Sequence, residues 1–183
     1  MRMINNLKAD PPKIINDLRH LVKTSMEAFG DKDFYTYKEH NEIKHYTYTD
    51  IWENMNRLGT AFAVKGLMGK RIAVIGELHP GWITTYLATV NGGGVIVPLD
   101  KEIDEEHLID FIELAEISAI FYTESLNNRI AALEPKLPNV EMFTPIVPST
   151  EEIKSDKIVP YDELIALGQK SLRTETPLIS IMR

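Results

Sequence analysis

Residues 74 to 82 read VIGELHPGW and place a carboxylate, Glu77, two positions before an imidazole, His79. Both stand between an apolar run and a proline that suits the first turn of a helix. If the run is a strand of a parallel sheet, its carboxyl end is where such sheets bind ligands. The helix after it would bring free N–H groups and a positive dipole end. One expectation is therefore an anion or polar ligand group held near Gly76, Glu77, Leu78 and His79. The same residues could equally be structural, with Glu77 capping or solvating the loop and His79 a surface imidazole. The residues alone leave both readings open.

Other chemistry finds less support. Gly76 to Gly81, GELHPG, has the outer glycine spacing of a phosphate loop but lacks the Lys-Ser/Thr that reaches phosphate and magnesium. Pro80 also removes a backbone donor. Gly92-Gly93-Gly94 follows a helical stretch and precedes a strand, the reverse of a dinucleotide fingerprint. His20, His40, His45, His79 and His107 include no pair at the i, i+4 spacing of a helical metal site. No serine lies in G-x-S-x-G. The chain has no cysteine, which excludes disulfides, thiolate metal sites and a cysteine nucleophile. No catalytic residue and no metal ligand is assigned.

The elements that would position these residues follow from periodicity. Apolar residues from Ile14 to Phe29 recur at helical spacing, with Asp10 as the expected cap and Gly30 as the stop. Phe34–Tyr37 and Ile43–Tyr48 read as a hairpin, its tyrosines expected as cross-strand partners. A helix then starts at Thr49 or Asp50 and carries Ile51, Met55, Leu58 and Phe62 on one stripe. From there apolar strands (71–75, 95–99, 119–122 and 140–143) alternate with helices. The helix from Pro80 to about Asn91 is expected to bury Trp82, Ile83, Tyr86, Leu87 and Val90. The next helix carries Leu108, Phe111, Ile112 and Leu114, and another runs from Leu126 to Leu137. Residues 145–160 form a connection, Pro160 to about Leu172 a last helix, and 173–183 a loose tail. Continuously apolar strands separated by helices predict an α/β domain. Its sheet is mainly parallel and covered on both faces, after an N-terminal helix and a β-hairpin.

With 183 residues the chain suits one domain or large subdomain. Its 27 acids against 20 bases give a formal charge of −7, without the clustered Lys and Arg of a nucleic-acid surface. No apolar run reaches the roughly 20 residues that span a bilayer, and the N-terminus has no signal-peptide core. These features point to a cytoplasmic location.

The order of motifs resembles the N-terminal part of the AMP-forming acyl-CoA synthetases, the superfamily that includes long-chain fatty-acid–CoA ligases. The likeness is carried by YTYTDIWENMNRLGTAF and by GKRIAVIGELHPGWITTYLATVNGGGVIVPLDKEIDEEHLIDFIELAEISAIFYT. It covers roughly residues 45 to 130. The resemblance implies ATP-dependent adenylation of a carboxylic acid and then thioester formation with coenzyme A, assisted by magnesium. It also implies that coenzyme A touches the loops after Leu99 and Tyr122, near Lys101 and Arg129. Glu77, His79 and Trp82 complete the candidates for residues near substrate or coenzyme A.

In that family a Ser/Thr/Gly-rich phosphate loop ending in Pro-Lys follows the helix matching PYDELIALGQKSL. The adenine strand, ribose-binding Asp and catalytic Lys come later still. Here the sequence reads TETPLISIMR. The expectation is a scaffold portion, truncated before the phosphate loop, that binds no cofactor alone. Its partner would be the remainder of a synthetase, and an uncovered packing face could also bring copies together. The alternative is a stand-alone, non-catalytic binding module with the same fold.

Overall fold

The computed structural model describes residues 14–39, 41–147 and 155–174. The first helix, α1 (Leu18–Phe29), starts later than the periodicity suggests. Its cap is Asp17, whose carboxylate accepts from the His20 N–H at 2.6 Å. Asp10 lies outside the described residues, and Ile14 and Ile15 precede the first turn. Gly30 ends the helix as expected, its N–H bonded to the Met26 carbonyl.

The hairpin is β1 (Asp33–Glu39) and β2 (Glu42–Thr47), antiparallel, with Tyr35 opposite Tyr46. Asn41 takes the left-handed conformation in its turn, φ +68°. Helix α2 (Tyr48–Val64) follows directly. Thr47 caps it rather than Thr49 or Asp50. The Thr47 Oγ1 accepts from the Asp50 N–H at 3.1 Å, and the Asp50 carboxylate accepts from the Thr47 N–H at 2.8 Å. This reciprocal box satisfies two orphan donors.

The sheet is built from β3 (Arg71–Ile75), β4 (Val95–Leu99), β5 (Ile117–Tyr122) and β6 (Met142–Pro145). All neighbours are parallel, in the order β4-β3-β5-β6. Between β3 and β4 lies α3 (Pro80–Asn91), and between β4 and β5 lies α4 (Glu105–Leu114). The segment after β5 is broken: a 3-10 turn, a short α5 (Asn127–Leu133) and a second 3-10 turn that accommodates Pro135. The continuous helix expected to Leu137 is thus shorter, because Pro135 lacks the donor an α-helix needs there. Helix α6 (Tyr161–Thr174) comes last. Part of the expected 145–160 connection joins the sheet. Pro145 ends β6, and Ile158 bridges to Phe143.

Side-chain alternation divides the core into two layers. Ile72, Val74, Ala119, Phe121 and Met142 face α2, α3 and α6. Ala73, Ile75, Ile120, Tyr122 and Phe143 face α4 and α5. The sheet is therefore covered on both faces, as the apolar strands demand.

Two helices bury faces other than those expected. Helix α3 buries Gly81, Thr84, Thr85, Ala88 and Thr89, leaving Trp82, Ile83, Tyr86, Leu87 and Val90 half-buried. Small residues let α3 approach the sheet closely, and its threonine hydroxyls bond back to carbonyls four residues earlier. On α4 only Leu108 and Ile112 are buried, while Phe111 is 49% exposed and Leu114 83%.

Strand β4 forms one edge of the sheet. The Val95 N–H bonds to the Lys70 carbonyl, so residues 95, 97 and 99 turn their backbone polar groups toward β3. Residues 96 and 98 turn theirs outward, and position 98 is proline, which has no N–H there. The other edge is flanked by 157–159, with the Phe143 N–H on the Lys157 carbonyl and the Val159 N–H on the Phe143 carbonyl.

Candidate functional site

The chain reverses its direction of travel across the sheet between β3 and β5. This is the topological switch point at which parallel sheets bind ligands. Residues 76–79 leave β3 there, and Thr123 leaves β5 beside them. Gly76 has φ +127°, and a Cβ on it would lie 1.9 Å from the Thr123 Oγ1. Glycine is thus needed for both conformation and space.

Glu77 is the hub. Its carboxylate accepts from the hydroxyl of Thr123, from the Ser125 Oγ at 2.9 Å and from the Lys101 Nζ at 3.0 Å. Its own N–H donates to the Thr123 Oγ1 at 3.2 Å. The Thr123 bond first, then Lys101 and Ser125, hold its pKa down at about 2, against the opposing effect of desolvation. Arg129 reaches across from α5 and donates to the backbone carbonyls of Lys101, at 2.7 Å, and Ile103. The loops after β3, β4 and β5 are therefore fastened to one another by their own side chains.

A consequence follows for pH. A carboxyl whose pKa is depressed in the folded state stabilises it above the unfolded pKa, near 4.5 here. That contribution fades as pH falls from about 4.5 toward 2. Glu77→Gln should lower the melting temperature at pH 6. The gap between variant and parent should close between pH 4.5 and 2.5. Melting curves across that range check it, and a constant gap would contradict it.

The other candidates lie apart from this hub. His79 caps α3, its Nδ1 accepting from the Gly81 N–H at 3.1 Å. Pro80 and Gly81 are buried, and a Cβ on Gly81 would strike Ile146 and approach the Tyr161 ring. The expected free N–H groups at this helix start are thus closed off: Pro80 has none, and the Gly81 and Ile83 donors are bonded to His79. Trp82 stacks on Tyr86, ring centroids 6.0 Å apart. The hairpin leans on the same junction. The Tyr37 ring meets His79 edge-on at 4.9 Å, and the Tyr35 hydroxyl donates to the Leu78 carbonyl at 3.4 Å. Tyr46 points inward, bonded to Thr84 at 3.2 Å and Asn54 at 2.8 Å.

The sequence thus marked Glu77, Lys101 and Arg129, which the fold gathers around one set of loops. It missed Thr123 and Ser125. Their signal, hydroxyls just after a strand, becomes informative only once β5 is known to lie next to β3. Among the described residues no group of three His, Asp or Glu side chains is arranged to hold a metal. No helix among them is long and apolar enough to cross a membrane.

A doubly wound parallel sheet with its switch point at β3 and β5 defines the class of domain. The family is set by sequence: the profile of the AMP-binding enzymes matches residues 22–175, and the chain belongs to that family. No curated protein matches it significantly. Several solved structures share its fold. Acetoacetyl-CoA synthetase from Streptomyces lividans is 17% identical with a TM-score of 0.69, over 81% of this chain and 24% of that one. The adenylation domain of a carboxylate reductase from Mycobacterium chelonae is 14% identical with a TM-score of 0.69, over 84% and 29%. A protein described as a long-chain-fatty-acid CoA ligase from Rhodopseudomonas palustris is 16% identical with a TM-score of 0.64, over 80% and 35%. The chain therefore spans about a quarter to a third of the adenylating proteins it resembles.

Proposed function

We propose that this chain is the N-terminal scaffold portion of an ATP-dependent acyl-CoA synthetase and is catalytically silent by itself. The supporting observation is the family match over 22–175 in a chain whose switch-point loops are already occupied by their own contacts. Adenylation needs donors for phosphate, a metal and an in-line carboxylate. The described residues do not fit ATP and magnesium. The start of α3 is plugged by His79 and Pro80, and Glu77 is engaged by three side chains. No step is routed through those groups here. On this reading ATP, magnesium and coenzyme A act only once the rest of a synthetase is joined. Lys101 and Arg129 then hold the β4–α4 loop in place near coenzyme A. The motif order in residues 45 to 130 favours thioester formation over the reduction carried out by some structural relatives.

The test is pyrophosphate exchange. The purified chain, given ATP, magnesium and a panel of short, aromatic and long-chain carboxylic acids, is expected to show no acid-dependent exchange. Exchange with any acid in the panel would refute the proposal.

A further inference from the structure

Helix α4 presents an unusual outward face. Between Asp104 and Glu116 stand six carboxylates and no lysine or arginine. Phe111 and Leu114 lie three residues apart on the solvent side, so they share one stripe. Large apolar side chains this exposed, rimmed by charge, mark contact surfaces more often than bare solvent faces.

At the C-terminal end of the helix, beside this stripe, lies a cleft of about 270 Å³. Its apolar wall includes Ile112, Leu137, Pro138 and Val140, and Glu113 and Glu116 line it as well. The volume falls below the roughly 300–1,000 Å³ of small-molecule sites, so it suits one long side chain. Glu116 holds φ +48°, where glycine or asparagine normally follows a helix. A carboxylate is thus kept there against local preference. It already takes one guanidinium, Arg71 at 2.5 Å, and both side chains are largely exposed. Glu113 makes no ion pair among the described residues. The other cations nearby are engaged: Lys136 with Glu105, and Lys157 with the carbonyls of Leu137 and Pro138.

We propose that the outer face of α4 and this cleft dock a basic, aliphatic-rich segment of a partner polypeptide, with one arginine entering between Glu113 and Glu116. The aliphatic stem would lie on the apolar wall, and the planar head would meet the carboxylates in the manner Arg71 already does. An aliphatic neighbour would cover Leu114. The charge of the rim selects a basic partner and repels an acidic one.

The probe is a fluorescein-labelled helical peptide of alternating leucine and arginine pairs, read by fluorescence polarisation. Its counterpart carries glutamate for arginine. The parent chain is expected to bind the basic peptide and not the acidic one, with affinity falling as salt rises. Glu113→Lys and Leu114→Ser should each weaken binding about tenfold. Both sites are exposed, so melting temperatures should hold. Glu27→Lys, the same charge change on α1, should leave binding unaltered. Equal loss from Glu27→Lys would mean only diffuse charge attraction and would overturn the proposal. So would binding of both peptides alike. Sedimentation across concentrations adds a further outcome: a dimer abolished by Leu114→Ser would assign the face to a second copy of this chain and also overturn it.

Discussion

Gly168→Ala should unseat α6 and cost about 3 kcal/mol, the upper range for forcing extra volume into a packed interface. A Cβ at Gly168 would lie 1.8 Å from the Arg57 carbonyl oxygen and 2.6 Å from its carbon. Those atoms belong to the backbone of α2, so no side-chain rotation relieves the clash. Helix α6 lies along α2, and Leu164, fully buried, depends on that contact. The companion substitution sharpens the test. Gly59 also sits inside a helix, but its Cβ would meet only the Ala88 carbonyl at 3.9 Å, an ordinary contact. Gly59→Ala should therefore stabilise by about 0.5–1 kcal/mol, the usual gain for removing a helix-interior glycine. Urea denaturation of both variants checks the opposite signs. A neutral Gly168→Ala would mean that the two helices are not seated this closely.

Phe121→Ala should be worse still, costing about 3–5 kcal/mol as a large ring leaves a packed core. Phe121 is fully buried in the middle of β5. Its ring meets Phe62 of α2 edge-on at 5.6 Å and Tyr161 of α6 at 6.5 Å. The cavity would open where strand and two helices meet, and none of the three can collapse into it alone. For a domain of this length the melting temperature should fall by about 10 °C. Phe121→Leu should recover more than half of the loss, since it refills much of the volume. Equal damage from both variants would point to the aromatic contacts rather than to packing.

Much of this fold was legible in the sequence. Strands β3 and β4 and helix α3 lie where their apolar runs and the proline and glycine stops put them. Burial on both faces makes such strands continuous and easy to see. What periodicity could not give was which face of α3 turns inward. Large apolar residues suggest one side, but close approach to the sheet favours the threonines and alanine. The exposed Phe111 and Leu114 misled for a related reason: an apolar residue on a helix does not say whether the covering surface belongs to its own domain. The start of α1 was misplaced because Asp10 and Asp17 are equally good caps by type. Only Asp17 bonds a turn of helix.

The candidate site was legible in its parts and not in its purpose. Glu77, Lys101 and Arg129 were found because they stand just after strands or face such loops. Their mutual bonds depend on β3 lying between β4 and β5, an order that no local pattern encodes. His79 looked like a possible ligand-binding imidazole and is occupied as a helix cap. Side chains at a strand end can meet a ligand or one another, and here the distances favour one another.

Pro98 gives β4 its last consequence. Among the described residues this strand has no neighbour on its outer side, which would ordinarily invite pairing with foreign chains. The ring nitrogen of Pro98 leaves a gap in that row of donors, so an incoming ribbon finds no continuous ladder to climb. Growth into fibrils from this margin is discouraged by a single imino acid. Whatever joins the molecule here must grip it by side chains instead.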